Sequence, residues 1–261
     1  MTALHYEKRG RGRDLVLLHG WGTNLGVWDE LTRALSRRFR VIAIDLPGHG
    51  GSDWDTRAVT PAAQAWRVHE TIAPLTERYS LLGWSLGGQF ALDLASAMPS
   101  GIEKLVLVST TPRFPASPGW RSGAPPAELA ALAAAVRRDP EGTLQGFLSY
   151  CARGSAPRTA ARVRRYLASA VARHGAPLPE ALAAGLERLR EVDLRAALPL
   201  VAVPALVIAG ARDRVTRATA SRALARRLAR GRYVEFAGAA HAPFLSHPAH
   251  FADTVGGFLR G

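Results

Sequence analysis

The feature that most constrains this chain is Gly83-Trp84-Ser85-Leu86-Gly87, a G-x-S-x-G pentapeptide between an apolar run and a segment of helical period. Ser80-Leu81-Leu82 leads into it, and Gly88-Gln89-Phe90-Ala91-Leu92-Asp93-Leu94-Ala95 leads out. Strand, sharp turn and helix in that order hold a serine hydroxyl on a corner of the backbone. The first N–H groups of the helix then point at whatever reacts there. Such a turn needs flanking glycines, because a side chain on either would crowd it. The pentapeptide alone recurs by chance; its setting makes it informative.

The length of 261 residues with 48% hydrophobic content suffices for one well-filled core, so one domain with an insertion is expected. Cys151 is the only cysteine, which excludes an intrachain disulfide and makes a reducing cytoplasm the expected compartment. Residues 1–10 hold no apolar stretch of the kind a secretory signal needs. The longest apolar run, 196–211, contains Pro199 and Pro204 and is too short to cross a bilayer, so no membrane partner is expected. The formal charge of +13 is almost wholly arginine, since Lys8 and Lys104 are the only lysines. It reads as compositional bias in an Ala- and Arg-rich chain. No nucleic-acid motif or aromatic-interleaved basic stretch accompanies it, so nucleic acid is not an expected partner.

Short apolar runs bounded by Gly, Pro, Asp or Ser recur along the chain and read as buried parallel strands. They are Leu15-Val16-Leu17-Leu18, Val41-Ile42-Ala43-Ile44, Tyr79-Ser80-Leu81-Leu82, Leu105-Val106-Leu107-Val108 and Ala205-Leu206-Val207-Ile208. Tyr233-Val234-Glu235-Phe236 fits a final strand, and helical segments are expected at 28–35, 61–75 and 218–228. The alternation predicts a mostly parallel, doubly wound α/β sheet with function at the carboxyl ends of its strands. Between residues 112 and 198 strands cease, and Ala, Leu and Arg recur at helical spacing over 128–138, 143–152, 159–173 and 179–190. This reads as a helical lid, 112–198, inserted into a core made of 1–111 and 199–261.

A serine hydroxyl is a weak nucleophile until a base takes its proton, and the base needs a third group to orient it. After an elbow of this kind the partners follow in the order acid, then histidine. Asp213 stands just past the run ending at Ile208, and His241 stands in Gly238-Ala239-Ala240-His241-Ala242-Pro243 after the last strand. Ser85, Asp213 and His241 are therefore the candidate catalytic residues. The candidate oxyanion donors are the N–H of Leu86 and that of Trp21, in the loop His19-Gly20-Trp21-Gly22. Of the other polar groups, Asp45 is expected to stabilise a turn, Asp193 to end a lid helix and His19 to serve structure. His5, His69 and His174 read as surface residues, and His247 and His250 as the start of the last helix.

Five stretches stand out together: Leu17-Leu18-His19-Gly20-Trp21-Gly22, Asp45-Leu46-Pro47-Gly48-His49-Gly50, Gly83-Trp84-Ser85-Leu86-Gly87-Gly88, Gly185-Leu186-Glu187 with Val192-Asp193-Leu194-Arg195, and Ala240-His241-Ala242-Pro243-Phe244 with Ser246-His247-Pro248. On the first three, which are widely shared, the chain resembles the α/β-hydrolase superfamily over essentially its full length. On the last two, which are far narrower, it resembles the BioH-type pimeloyl-acyl-carrier-protein methyl ester esterases.

The resemblance implies an α/β-hydrolase fold and a serine carboxylesterase acting in biotin biosynthesis. Its substrate would be a methyl-capped pimeloyl chain on the phosphopantetheine thioester of acyl carrier protein, cleaved to the free acid and methanol. It implies no metal and no organic cofactor, and a monomer is expected. It further implies that one face of the lid stretch Phe147, Leu148, Ser149, Tyr150 and Cys151 contacts the acyl chain, with ordinary lid packing as the equal alternative. Arg158 and Arg162, at i,i+4 on one helix face, resemble the family's carrier-contacting arginines. Two other basic positions of the family are Gly142 and Gly146 here, with Arg137 and Arg138 lying upstream. Readings that keep the same triad are a general short-chain carboxylesterase or lactonase. A non-catalytic small-ligand receptor is the alternative from another class.

Overall fold

The computed structural model describes residues 3–261. Its strands are β1 (Tyr6–Arg9), β2 (Arg13–Leu18), β3 (Phe39–Ile44), β4 (Tyr79–Trp84), β5 (Ile102–Val108), β6 (Ala205–Gly210) and β7 (Gly231–Phe236). Among the described residues they form one sheet in the order β1-β3-β2-β4-β5-β6-β7, parallel except for β1, which runs antiparallel to β3. β4 and β6 are buried at every residue, and β2 from Asp14 onward, because helices cover both faces of the sheet. β1 is the strand that apolar runs do not reveal. Its Glu7, Lys8 and Arg9 are exposed at the sheet edge, where charge also discourages edge-to-edge pairing.

The chain passes from β2 outward to β3, then crosses back to β4 and proceeds the other way. The crevice between β2 and β4 is therefore the topological switch point, where open α/β sheets place their sites. Register sharpens this: Leu18 pairs with Ile44 on one side and Gly83 on the other, so the loops after β2, β3 and β4 leave the sheet at one level. Every sequence-predicted catalytic residue lies just beyond a strand's carboxyl end.

The core helices are α1 (Asp29–Leu35), α2 (Pro61–Ile72), α3 (Leu86–Ala97), α8 (Ala218–Arg227), α9 (Pro243–Ser246) and α10 (Pro248–Arg260). The insertion between β5 and β6 contains α4 (Pro126–Arg138), α5 (Pro140–Cys151), α6 (Pro157–His174) and α7 (Pro179–Glu191). Each of these four starts at a proline, earlier than the expected 128, 143 and 159 in the first three. Read as breaks, these prolines are in fact first-turn residues, where the missing N–H costs nothing and the fixed φ suits the helix. The two stems of the insertion meet: Leu194 N–H donates to Pro112 C=O at 2.9 Å, and the Arg113 guanidinium donates to Glu191 C=O at 2.9 Å. Among the described residues no helix is long and apolar enough to cross a membrane.

Arg188 of α7 fastens the insertion to the core. Its fully buried guanidinium donates to the Asp93 carboxylate of α3 at 2.7 Å and to Pro61 C=O at 2.7 Å, and lies 4.0 Å over the Phe90 ring. Removing the buried guanidinium leaves the part-exposed Asp93 charge and the Pro61 carbonyl without their partner, so Arg188→Met is expected to cost about 2 kcal/mol. Urea unfolding of wild type and variant measures this.

His49, in the loop after β3, is buried with Nδ1 against Pro47 C=O at 3.0 Å, and burial holds its pKa down to about 3. The folded state thus keeps it neutral while the unfolded chain takes up a proton below about pH 6.5. Its contribution to stability is complete above that pH and falls away as pH drops toward 3. Between pH 6 and 4, His49→Gln is expected to flatten the stability slope by about 1.4 kcal/mol per pH unit, measured by urea midpoints across that range.

Candidate active site

Ser85 joins β4 to α3 with φ 54° and ψ −115°, in the half of conformational space that side chains avoid. Three glycines make that corner possible by removing every Cβ that would obstruct it. A Cβ on Gly83 would overlap the backbone of Gly87, and one on Gly87 would overlap the carbonyls of Leu18 and His19. A Cβ on Gly88 would meet the Thr110 side chain at 2.6 Å. The elbow is thus pressed against both the end of β2 and the chain leaving β5.

The three predicted catalytic residues come together in one hydrogen-bonded line. Ser85 Oγ lies 2.9 Å from His241 Nε2, and His241 Nδ1 lies 2.8 Å from Asp213 Oδ2. Asp213 Oδ1 accepts the N–H groups of Val215 and Thr216 at 2.8 and 3.0 Å, which fixes the carboxylate. The ring therefore carries its proton on Nδ1, toward the carboxylate, and leaves Nε2 free to accept from the serine. The His241 backbone is gripped as well: its N–H donates to Cys151 C=O at 3.1 Å and its C=O accepts the Trp84 indole N–H at 2.8 Å. Cys151, the last residue of α5, and Trp84, directly before Ser85, thus both hold His241. Neither role is visible in the sequence.

Trp21 and Leu86 each leave a backbone N–H without a protein acceptor among the described residues. The carbonyl of each same peptide unit is pinned instead. Gly20 C=O takes His19 Nδ1–H at 2.8 Å, Thr23 Oγ–H at 2.9 Å and Thr23 N–H at 3.3 Å. Ser85 C=O takes Thr110 Oγ–H at 2.7 Å and the N–H groups of Gly88 and Gln89 at 3.0 and 3.3 Å. In a trans peptide the N–H points away from the C=O, so pinning the oxygens presets both donors. Two oriented N–H groups on neighbouring strand ends suit an oxyanion. His19 acts in this frame as a neutral structural group: burial lowers its pKa, and Nε2 accepts Leu46 N–H at 2.9 Å. Asp45 likewise binds the turns around it, accepting from Leu25 and Gly51 N–H at 2.6 and 2.9 Å.

A cavity of about 510 Å³ opens beside the triad between α4 and α5, lined mainly by Phe114, Leu129, Leu132, Phe147, Tyr150 and Val215. Its links to the triad run through two of the lining residues. Phe147 meets Trp21 edge-on at 4.8 Å, and Val215 is the residue whose N–H holds Asp213. Of the five lid residues singled out in the sequence, Phe147 and Tyr150 face this cavity. Leu148 and Cys151 turn into the core, and Ser149 faces solvent with its hydroxyl on Gln145 C=O. One helix turn cannot present five consecutive residues to one surface. Burial also pushes the Cys151 thiol pKa up, so it is an inert core group.

The four arginines divide in the same way. Arg137, Arg138 and Arg158 are exposed on the lid. Arg162 is spent on structure, donating to Leu245 C=O and lying 3.7 Å from Glu30.

Comparison with known proteins agrees with this architecture. A family model described as the alpha/beta hydrolase fold matches residues 15–248. The chain is 42% identical to the pimeloyl-acyl-carrier-protein methyl ester esterase of Nitrosomonas europaea, over 97% of this chain and 98% of that protein. It is 38% identical to the enzyme of the same name from Stenotrophomonas maltophilia, over 99% and 97%. Among solved structures, an esterase from Exiguobacterium antarcticum superposes with a TM-score of 0.88 at 26% identity, covering 99% of this chain and 96% of that one. A hydrolase from Pseudomonas aeruginosa gives 0.83 at 33% identity, covering 98% and 94%.

The pinned Ser85 carbonyl generates a test. Thr110→Val keeps the shape but deletes one of its donors, so Leu86 N–H loses its preset direction. The expected outcome is a roughly tenfold fall in kcat with little change in KM, and recovery in Thr110→Ser, read by steady-state ester hydrolysis.

Proposed function

The chain belongs to the α/β-hydrolase fold family and, within it, to the pimeloyl-acyl-carrier-protein methyl ester esterases; on that premise we propose how its own residues carry out the reaction. It hydrolyses the methyl ester of pimeloyl-acyl-carrier protein to the free acid and methanol, a step of biotin synthesis. Ser85 is the nucleophile, His241 the base and Asp213 the orienting acid. The observation that carries this assignment is the unbroken line from Ser85 Oγ through His241 to Asp213.

His241 Nε2 takes the Ser85 proton as Oγ attacks the terminal ester carbonyl. Negative charge then develops on the carbonyl oxygen, between the N–H groups of Trp21 and Leu86. The imidazolium, steadied by Asp213, returns its proton to departing methanol. A water deprotonated by the same nitrogen attacks the acyl-serine, and the proton goes back to Ser85 as the acid leaves. In this reading the aliphatic chain lies along Phe147 and Tyr150, while the thioester and carrier remain outside the lid. The exposed Arg137, Arg138 and Arg158 supply positive charge facing an acidic carrier, which steers encounter. One chain provides the triad and both candidate oxyanion donors, which supports activity as a monomer. A cytoplasmic location accords with the lone, buried thiol of Cys151.

A general short-chain carboxylesterase or lactonase would use the same triad, and the apolar lining of the cavity favours it as the second reading. Mass spectrometry of pimeloyl-carrier methyl ester and of a short free ester separates the two. The expected result is preferential cleavage of the carrier substrate, falling by about 10⁴-fold or more in Ser85→Ala. Efficient cleavage of the short ester alone would leave a general esterase.

A further inference from the structure

A second depression, of about 490 Å³, lies on the outer side of α5 and shares Gly146 and Tyr150 with the cavity beside the triad. Its floor is small and apolar, formed by Ala152, Pro157, Ala160 and Ala161, and its polar rim carries two guanidinium groups, Arg153 and Arg164. No carboxylate lines it, and among the described residues neither arginine has an ion-pair partner. Arg153 is held over the face of Tyr150, 5.9 Å from its ring centroid. On α6, residues 157, 160, 161 and 164 form one stripe at helical spacing, which places Arg164 on the face toward the depression.

Gly146 is the saddle between the two hollows. A Cβ built there meets nothing within 4 Å, unlike Gly142, where a Cβ would meet the Asp139 carboxylate that caps α5. Gly142 is thus explained by the cap, whereas nothing in the packing requires a glycine at 146. Open space over Gly146 therefore lies where the two hollows meet, one with a basic rim and the other apolar.

We propose that the carrier's prosthetic arm enters across Gly146, with its phosphodiester seated on Arg153 and Arg164. Guanidinium forks match phosphate oxygens in geometry and charge. The order of the surfaces matches the order of the substrate: anionic phosphate first, then the slender arm, then the aliphatic chain beside Ser85. This rests on the carrier-esterase reading above and specifies its entry route, on arginines outside the Arg158 and Arg162 pair. It also gives Arg162, tied to Leu245 and Glu30, no part in phosphate binding.

The test compares pimeloyl-carrier methyl ester with p-nitrophenyl butyrate as a free ester. Arg153→Glu/Arg164→Glu is expected to raise KM for the carrier substrate about tenfold or more while leaving the free ester unchanged. Arg11→Glu/Arg37→Glu makes the same change in net charge on exposed residues remote from the lid, and should leave both substrates unaffected. Gly146→Leu, whose Cβ meets open space, should lower kcat/KM for the carrier substrate more than for the free ester. Equal KM shifts from the two charge-reversal pairs, or no shift from Arg153→Glu/Arg164→Glu, would overturn the phosphate site. An unchanged Gly146→Leu would overturn the passage. Wild type that cleaves the free ester but not the carrier substrate would remove the carrier reading itself, and this proposal with it.

Discussion

The structure depends on one close backbone contact: the approach of the Ser85 elbow to the end of β2. Gly87 lies so near the carbonyls of Leu18 and His19 that no side chain fits between them. That contact holds Ser85 in a strained conformation, and the strain is tolerated because neighbours over-determine it. Thr110 binds the Ser85 carbonyl from the β5 side, and Ser221 in turn binds the Thr110 carbonyl at 3.0 Å. Serine position, donor direction and helix start thus follow from a single arrangement of β2, β4 and β5.

The lid takes part in this arrangement. Cys151, at the end of α5, supplies the carbonyl that holds His241 N–H, and Phe147 of the same helix packs edge-on against Trp21. Arg188 binds α7 to α2 and α3, the helix that begins directly after Ser85. An insertion attached this way shapes the apolar cavity and holds His241 at once. The positive charge divides accordingly: Arg113, Arg162 and Arg188 are used up in structural bonds, while Arg153, Arg158 and Arg164 remain available on the lid.

Much of this is written locally in the chain. The six apolar runs correspond to β2 through β7, and Ser85, Asp213 and His241 are recognisable because each directly follows one of them. β1 escapes the same reading because an edge strand needs no apolar faces. The lid helices are legible as helices, but their starts are misplaced where proline reads as an interruption rather than a first-turn residue. The stretch Phe147-Leu148-Ser149-Tyr150-Cys151 reads as a helix with one candidate contact face, but which members form that face is decided by helical rotation, which sends them to three environments.

The sequence by itself determined six of the seven strands, the place of the helical insertion in chain order, and Ser85, Asp213 and His241 as the candidate nucleophile, acid and base. Short apolar periods and catalytic loop positions are local properties, and local pattern is what a sequence displays. Only the tertiary structure decided which groups hold those residues in place. Thr110 reaches Ser85 across 25 residues, Arg188 reaches Asp93 across 95, and Trp84 reaches His241 across 157. Such bonds leave no periodic trace, because their geometry exists only after the strands have paired and the lid has closed onto them.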